Sequence, residues 1–310
     1  MWFWLFVLLG LCVLYRWYRD GQKLPNFTDK YVFITGCDSG FGHRVAHQLD
    51  RQGMRVLAAC LTQQGAEQMK KATSQRLQTI ILDVTNSESV AAAANWVKQQ
   101  VGDRGLWGLV NNAGILIPVA PNEWLTKNDF LKILNVNLLG LIDVTLSLLP
   151  LIRKAKGRII NVSSIAGRLA LCGGGYCISK YGVEAFSDSL RRELHTFGVK
   201  VSIINPDFFK TEILNTKSLQ ENFQQAWSQV PKEIKDSYGE KYFETYCKMI
   251  DDMTVIATSK LNLVTDCMEH ALTAVHPRTC YAAGWYAKLF YIPLSYLPTM
   301  LADYLLSISP

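Results

Sequence analysis

The sequence predicts an α/β fold, a single domain built on a doubly wound parallel sheet. Three observations predict it. From residue 30 onward, short apolar runs alternate with helical stretches. The runs are continuously apolar, as strands buried on both faces require. A glycine-rich turn, TGCDSGFG over residues 35–42, lies directly between the first run and the first helix. In sheets of this kind ligands bind beyond the carboxyl ends of the strands.

Composition sets the frame. With 310 residues, 49% of them hydrophobic, the chain can bury one large core. No Pro/Gly/Ser-rich tract, low-complexity run or internal repeat marks a second domain. The net charge of +6 is spread along the chain, apart from Arg153, Lys154, Lys156 and Arg158. That reads as a solvated surface, so no nucleic-acid partner is expected. The eight cysteines form no CxxC pair and no Cys/His cluster, so neither a metal nor a disulfide framework is expected.

Residues 2–15 are apolar apart from one glycine, and Arg16, Trp17, Tyr18 and Arg19 follow. The run is shorter than the ~20 residues of a spanning helix, but Arg16 can snorkel while Trp17 and Tyr18 sit at the interface. A cleaved signal peptide would need a basic start and a small-residue cleavage site, and neither is present. Residues 1–18 are therefore expected to form a membrane anchor. The catalytic domain is then expected over 29–285, with an apolar segment over 286–310 that docks on the domain or touches the bilayer. Positive charge lies only on the anchor's C-terminal flank, at Arg16, Arg19 and Lys23, which places the domain on the cytosolic side. The sequon Asn26-Phe27-Thr28 points the other way, but such triplets arise often by chance.

Strands are expected at residues 31–35, 55–60, 79–82, 106–110, 158–162 and 199–204. Helices are expected from the glycine turn to about residue 51 and over 86–101. The turn glycines permit close approach of a pyrophosphate, whose charge a helix N-terminus stabilises. Three more motifs fall at strand ends: Asp83-Val84, Asn111-Asn112-Ala113-Gly114, and residues 206–211. Their order, and the TGxxxGxG spacing of the turn, resemble the classical short-chain dehydrogenase/reductase family over roughly residues 30–280. The resemblance implies a Rossmann-like domain and a nicotinamide dinucleotide. It assigns the dinucleotide to Gly36, Asp38, Ser39, Gly40, Phe41, Gly42, Asp83, Asn111, Ala113, Gly114, Tyr176, Lys180 and Thr211, with Asp83 at adenine and Thr211 at the nicotinamide amide.

The catalytic residues follow from YxxxK at Tyr176-Cys177-Ile178-Ser179-Lys180. Positions four apart share a helix face, so the ammonium sits near the phenol. A free phenol, with pKa ~10, is a poor base at neutral pH, and a nearby cation is expected to lower it. Tyr176 would then move the alcohol proton. Ser164, just before Ile165-Ala166-Gly167, resembles the family's substrate-positioning serine, with Ser163 as the adjacent alternative. Asn137, followed by Leu-Leu-Gly, resembles the relay asparagine that holds a water for the lysine, with Asn135 as the other candidate.

An NADP site needs a cation for the 2′-phosphate. Here the turn carries Asp38, and the second strand ends Ala58-Ala59-Cys60-Leu61-Thr62, without Arg or Lys, so NAD is expected. An aromatic-rich insertion over about 208–262 is expected to be a substrate lid suited to a large apolar alcohol. The glycine turn, Gly173-Gly174-Gly175-Tyr176-Cys177 and Ile292-Pro293-Leu294-Ser295-Tyr296 resemble the microsomal branch of retinol and 3α/17β-hydroxysteroid dehydrogenases. That likeness implies a retinoid or steroid substrate, membrane lipid as a partner, and the endoplasmic reticulum membrane, with a second copy of the chain as a candidate partner. The chain departs from the branch at Asp207, where a glycine is usual, and at Cys280 and Tyr286, where Arg and Asp are usual. The rival reading is a catalytically weak or inactive member that binds NAD or lipid; a lost Tyr or Lys would signal it, and both are present.

Overall fold

The computed structural model describes residues 2–308. Met1, at the head of the expected anchor, and Ser309 and Pro310, at the end of the C-terminal segment, lie outside the described residues. A long helix α1 (Trp2–Gly21) leads into β1 (Tyr31–Thr35), α2 (Gly40–Arg51), β2 (Arg55–Cys60), α3 (Gln63–Ala72) and β3 (Gln78–Ile81). The second half-winding runs through α4 (Ser87–Val101), β4 (Gly108–Asn111), α5 (Lys127–Leu134), α6 (Leu141–Lys154) and β5 (Arg158–Val162). Then come α7 (Gly175–Glu193), β6 (Lys200–Pro206), α8 (Thr216–Gln229), α9 (Lys232–Tyr238) and α10 (Glu240–Ile256). The chain closes with α11 (Asn262–Thr273), β7 (Cys280–Ala283), α12 (Ile292–Leu294) and α13 (Thr299–Ile308).

The strands form one parallel sheet in the order β3-β2-β1-β4-β5-β6-β7. The six expected strands are all present, within about two residues at their ends. Strand β7 was not anticipated, because Cys-Tyr-Ala-Ala is too short and too weakly apolar to stand out. The order reverses between β1 and β4, which opens a crevice at their carboxyl ends. The sheet is buried on both faces. Val45, Leu49, Val264 and Met268 of α2 and α11 cover one face, and Val97, Leu148, Ile152 and Leu190 of α4, α6 and α7 cover the other. Among the described residues, Lys127–Lys154 is one continuous helix long and apolar enough to cross a membrane. Its buried Ile133, Val144, Leu148 and Ile152 seat it in the core, and we read it as a core helix.

Helix α1 stands apart from this core. Trp4, Leu8, Leu11, Val13 and Leu14 on it are exposed. Its C-terminal end is tied to the domain. Arg278 pairs with Asp20, Lys23 with Glu269 at 2.9 Å, and the Leu24 amide donates to the Thr273 carbonyl at 2.8 Å. These ties lie where α11 ends and before β7 begins, at the sheet edge where the strands start. The crevice is at the opposite edge.

Candidate active site

The crevice widens into a cavity of about 710 Å³ at the carboxyl ends of the strands. One end is bare backbone. Gly36 and Gly40 have φ of +70° and +60°, which glycine tolerates and side chains resist. A Cβ on Gly36 would lie 2.8 Å from the Ala113 Cα, and one on Gly42 would strike the Gly36 carbonyl oxygen. Thr35 and Asn112 hold the two loops together. The Thr35 hydroxyl accepts from the amides of Asn112 and Ala113 at 3.0 and 3.1 Å, and the Asn112 amide donates to the carbonyls of Thr35 and Gly36, each at 3.0 Å. Helix α2 starts at this turn, and its N-cap Ser39 makes no side-chain cap, so the first-turn N–H groups remain available to an anion. These features fit a dinucleotide pyrophosphate.

Asp38 closes the far side. Its carboxylate accepts from the Leu61 amide at 2.7 Å, the Thr62 amide at 2.9 Å and the Thr62 hydroxyl at 2.7 Å. It is thus fixed at the end of β2, where a ribose 2′ position is expected. Asp83, also on the lining, is tied to its own turn by the amide and hydroxyl of Thr85. Phe41 packs edge-on to Phe209, and Thr211 lies beside Gly40. Asn111 departs from the group. Its buried amide donates to Thr145 and to Asn161, so its side chain serves the sheet, and Asn112 occupies the lining instead. Both are Asn, and the pattern alone does not say which one turns outward.

At the centre stand Ser164, Tyr176 and Lys180. The Ser164 hydroxyl is a hydrogen-bond partner of the Tyr176 phenol and also accepts from the Ala166 amide at 3.1 Å. Ser163 turns the other way, toward the Lys180 carbonyl and the Glu184 carboxylate. The geometry thus separates two serines that counting along the chain left equivalent. Lys180, 5% exposed, donates from Nζ to the Val162 carbonyl at 2.9 Å, with Nζ 5.6 Å from the centre of the Tyr176 ring. Burial pushes the lysine down to about 8, against the pull of Glu184. The phenol moves in the direction opposite to that expected from sequence. Burial is the largest influence and raises it, and the Ser164 hydroxyl is what draws it back. The expectation failed because the ring is enclosed and its charged form is poorly solvated.

Asn137 lies in a π-helical turn, Asn135–Gly140, between α5 and α6. Its side chain accepts from the Ile115 amide and donates to the Ile115 carbonyl, both at 2.8 Å, and reaches Ser179 on α7 at 3.1 Å. It therefore clamps the loop after β4 to the helix that carries Tyr176 and Lys180. Gly114 leaves room for this. A Cβ there would lie 3.3 Å from Asn137 Oδ1 and 3.8 Å from Lys180 Nζ.

The remaining walls are mostly apolar, with Asp207, Glu212 and Asp252 also on the lining. Of the aromatic insertion, Phe208, Phe209, Tyr246, Met249 and Met253 line the cavity. Phe223, Trp227, Tyr238 and Tyr242 instead gather around Trp124, with Phe243 stacked on Phe223 and Trp227, in a small core that backs the cavity wall. The C-terminal segment adds Phe290, Tyr291 and Leu306 to the wall.

Residues 30–222 match the family model described as short chain dehydrogenase. Over 303 residues, 98% of this chain and 96% of the relative, the sequence is 60% identical to retinol dehydrogenase 7 of Rattus norvegicus. It is 59% identical to 17-beta-hydroxysteroid dehydrogenase type 6 of Homo sapiens, covering 99% of this chain and 97% of that one. Among solved structures, a short-chain dehydrogenase from Streptomyces avermitilis is 31% identical over 59% of this chain and 68% of its own, with a TM-score of 0.56. A short chain dehydrogenase from Burkholderia cenocepacia covers 92% of this chain and 100% of its own, with a TM-score of 0.66. At 21% identity it shows the fold alone.

Asp207 has a partner that sequence reasoning missed. Its carboxylate accepts from the Ala287 amide at 3.1 Å and from the backbone of Tyr286, at the start of the helical stretch that leads into α12. It fits there because Gly284, at φ +103°, has no Cβ to collide with it. An acid at this place caps a helix and complements its dipole. Phe208 beside it meets Tyr291 edge-on at 6.0 Å. The carboxylate therefore fastens the C-terminal wall of the cavity to the end of β6. Replacing Asp207 with Ala should loosen residues 287–294 by about 1 kcal/mol, the scale of a lost cap. Hydrogen–deuterium exchange of that segment should speed up roughly fivefold. Unchanged exchange would mean that the cap is not what holds the wall.

Proposed function

The chain belongs to the short-chain dehydrogenase family and is an oxidoreductase that interconverts alcohol and carbonyl with a nicotinamide cofactor; from that premise we propose that it acts with NAD on a hydrophobic alcohol, a retinoid or a hydroxysteroid. One observation carries the proposal. The cavity is bare backbone at one end and apolar over most of its wall, and its polar centre is Ser164, Tyr176 and Lys180. A large apolar alcohol is what such a cavity can bury, with its hydroxyl at that centre. Similarity to retinol dehydrogenase 7 and 17-beta-hydroxysteroid dehydrogenase type 6 supports the two substrate classes. The test is purified protein with NAD or NADP against retinol, androstanediol and simple alcohols, followed by the absorbance of reduced cofactor. Equal rates on ethanol and on the bulky alcohols would defeat the substrate class.

In this proposal Gly36, Ser39, Gly40, Phe41, Gly42, Ala113 and Gly114 form the dinucleotide cradle, with Asp83 at adenine, Asn111 acting through the sheet behind it and Thr211 at the amide. When bound, the nicotinamide supplies the hydride acceptor for oxidation and the hydride donor for reduction. Ser164 holds the substrate oxygen by a hydrogen bond. Tyr176 takes the hydroxyl proton in oxidation and returns it in reduction. Lys180 orients the ribose and supports the phenolate charge. Asn137 fixes the loop and helix on which these groups sit and would hold the water that serves Lys180.

Cofactor choice rests on Asp38. A 2′-phosphate would meet a carboxylate already fixed by three donors, whereas a ribose hydroxyl can donate to it. Asp38→Arg should move the ratio of kcat/KM for NAD over NADP toward NADP by at least ~10-fold, about 1.4 kcal/mol. An unaltered protein that prefers NADP would overturn this assignment.

For localisation we propose attachment to the endoplasmic reticulum membrane through α1, with the domain in the cytosol. Helix α1 has 20 residues, about 30 Å of helix, and its described apolar side chains are exposed. The exposed Trp285, Leu289, Tyr296 and Met300 near the cavity suit a second contact with lipid. Removing residues 1–19 should release most of the protein from membranes and leave nucleotide binding intact. Protection of the domain from protease in sealed microsomes, or a glycan on Asn26, would reverse the orientation.

The proton step sets the pH dependence. Because burial raises the phenol, Tyr176 is protonated at neutral pH and ready to donate, so reduction should be level near neutrality and decline at alkaline pH. Oxidation needs the phenolate and should climb over the same range. Tyr176→Phe should lower turnover by at least ~10²-fold and abolish both limbs, with nucleotide binding nearly intact. Lys180→Ala should weaken nucleotide binding as well. A Tyr176→Phe protein that keeps most of its turnover would remove Tyr176 from the mechanism.

A further inference from the structure

Two cysteines beside Tyr176 have no part in the chemistry above. Cys172 is partly exposed and faces the cavity, and Cys177 is buried in the first turn of α7. Their sulfurs are 3.5 Å apart. No other pair of the described cysteines is in such contact: Cys37 and Cys267, for example, are turned onto the carbonyls of Ile34 and Leu263. Between the two sulfurs the chain runs through Gly173, Gly174, Gly175 and Tyr176 itself.

We propose that Cys172 and Cys177 form a reversible dithiol–disulfide modification site, which hydrogen peroxide entering the cavity oxidises and which disables Tyr176 when closed. The contact favours charge on one sulfur. The Cys172 thiol beside it, then the backbone of Cys172, Leu171 and Cys177, hold Cys177 down to about 6 in spite of burial. The same contact leaves the shared proton on Cys172 and raises that thiol. Cys172 is nonetheless the sulfur that faces the cavity, so it reacts as it hands that proton to the Cys177 thiolate and attacks one peroxide oxygen. The O–O bond breaks, a water leaves, and Cys172 is a sulfenic acid. The Cys177 sulfur then attacks the Cys172 sulfur; the S–O bond breaks, the S–S bond forms and a second water leaves. The shared thiol proton completes the first water and a proton from solvent the second, and two electrons have passed from the pair to the peroxide.

Closure brings the sulfurs from 3.5 Å to ~2.05 Å. The loop has little slack to absorb this. A Cβ on Gly173 would strike the Ala120 carbonyl oxygen, and one on Gly175 would lie 3.1 Å from the Phe130 carbonyl oxygen. The closure is therefore taken up around Tyr176, which lies in the chain between the two sulfurs, at the expense of its contact with Ser164.

The test treats the full chain with near-stoichiometric hydrogen peroxide. Peptide mapping should find Cys172 joined to Cys177, with the pair lighter by two hydrogens. Turnover should fall at least ~5-fold and return with dithiothreitol, the reversible step of the oxidation ladder. Cys172→Ser and Cys177→Ala, each compared with its own untreated activity, should lose the reversible fall. Absence of the cross-linked peptide, an irreversible loss, or an equal reversible loss in both variants would each overturn the proposal. The mass readout stands whichever alcohol proves to be the substrate, so its failure is distinct from failure of the proposed function.

Discussion

The site depends on one close approach of bare backbone. The turn after β1 and the loop after β4 come together where the strand order reverses, and Gly36 lies against Ala113 with no room for a Cβ between them. Parallel strands leave their carboxyl ends open there, so the sheet provides a crevice and the glycines provide its depth. Thr35 and Asn112 then lock the two loops by four hydrogen bonds. Without that lock the start of α2 would not face the crevice, and Asp38 would not reach the end of β2. The polar centre depends on it as well, because Asn137 grips the same loop two residues further on, at Ile115, and joins it to α7.

Burial tunes the chemistry of that centre. Lys180 is buried and Tyr176 half-buried, and each is pushed toward its neutral form, the phenol upward and the ammonium down to about 8. A lysine whose charge is this weakly held is a poor source of permanent attraction, yet its Nζ is fixed by the Val162 carbonyl. Its position is thus set more firmly than its charge. Glu184, half-buried and held by Ser163 and Asn205, pulls the other way and helps keep the lysine protonated.

Much of this was legible in the sequence, because parallel strands announce themselves as apolar runs and phosphate turns as glycine spacing. TGCDSGFG and YxxxK located the turn and the central helix directly. What was not legible depends on where side chains turn after folding. Asn111 and Asn112 are the same residue in succession, and only the pleat decides that one serves the sheet and the other the cleft. The aromatic insertion has no marker that divides it between the cavity wall and the stack around Trp124. The direction of the Tyr176 shift needed the depth of the ring, which helix spacing does not carry. Asp207 looked like an intrusion near the cofactor because its partners, Gly284 and Ala287, lie about eighty residues away.

That capping contact changes how the departures of this chain are read. The branch it resembles usually carries an acid at 286, and here Tyr286 is exposed while the acid stands at 207. The carboxylate thus approaches the same helix start from β6 instead of from within the helix. The C-terminal wall becomes coupled to the strand end that leads to Thr211. The C-terminal end of helix α1, by contrast, is pinned at the far edge of the sheet. On the proposed function, the exposed Trp285, Leu289, Tyr296 and Met300 belong to the C-terminal arm whose Phe290, Tyr291 and Leu306 line the cavity. A greasy alcohol dissolved in lipid would meet that arm first, and Asp207 is the residue that holds the arm in register with the polar centre.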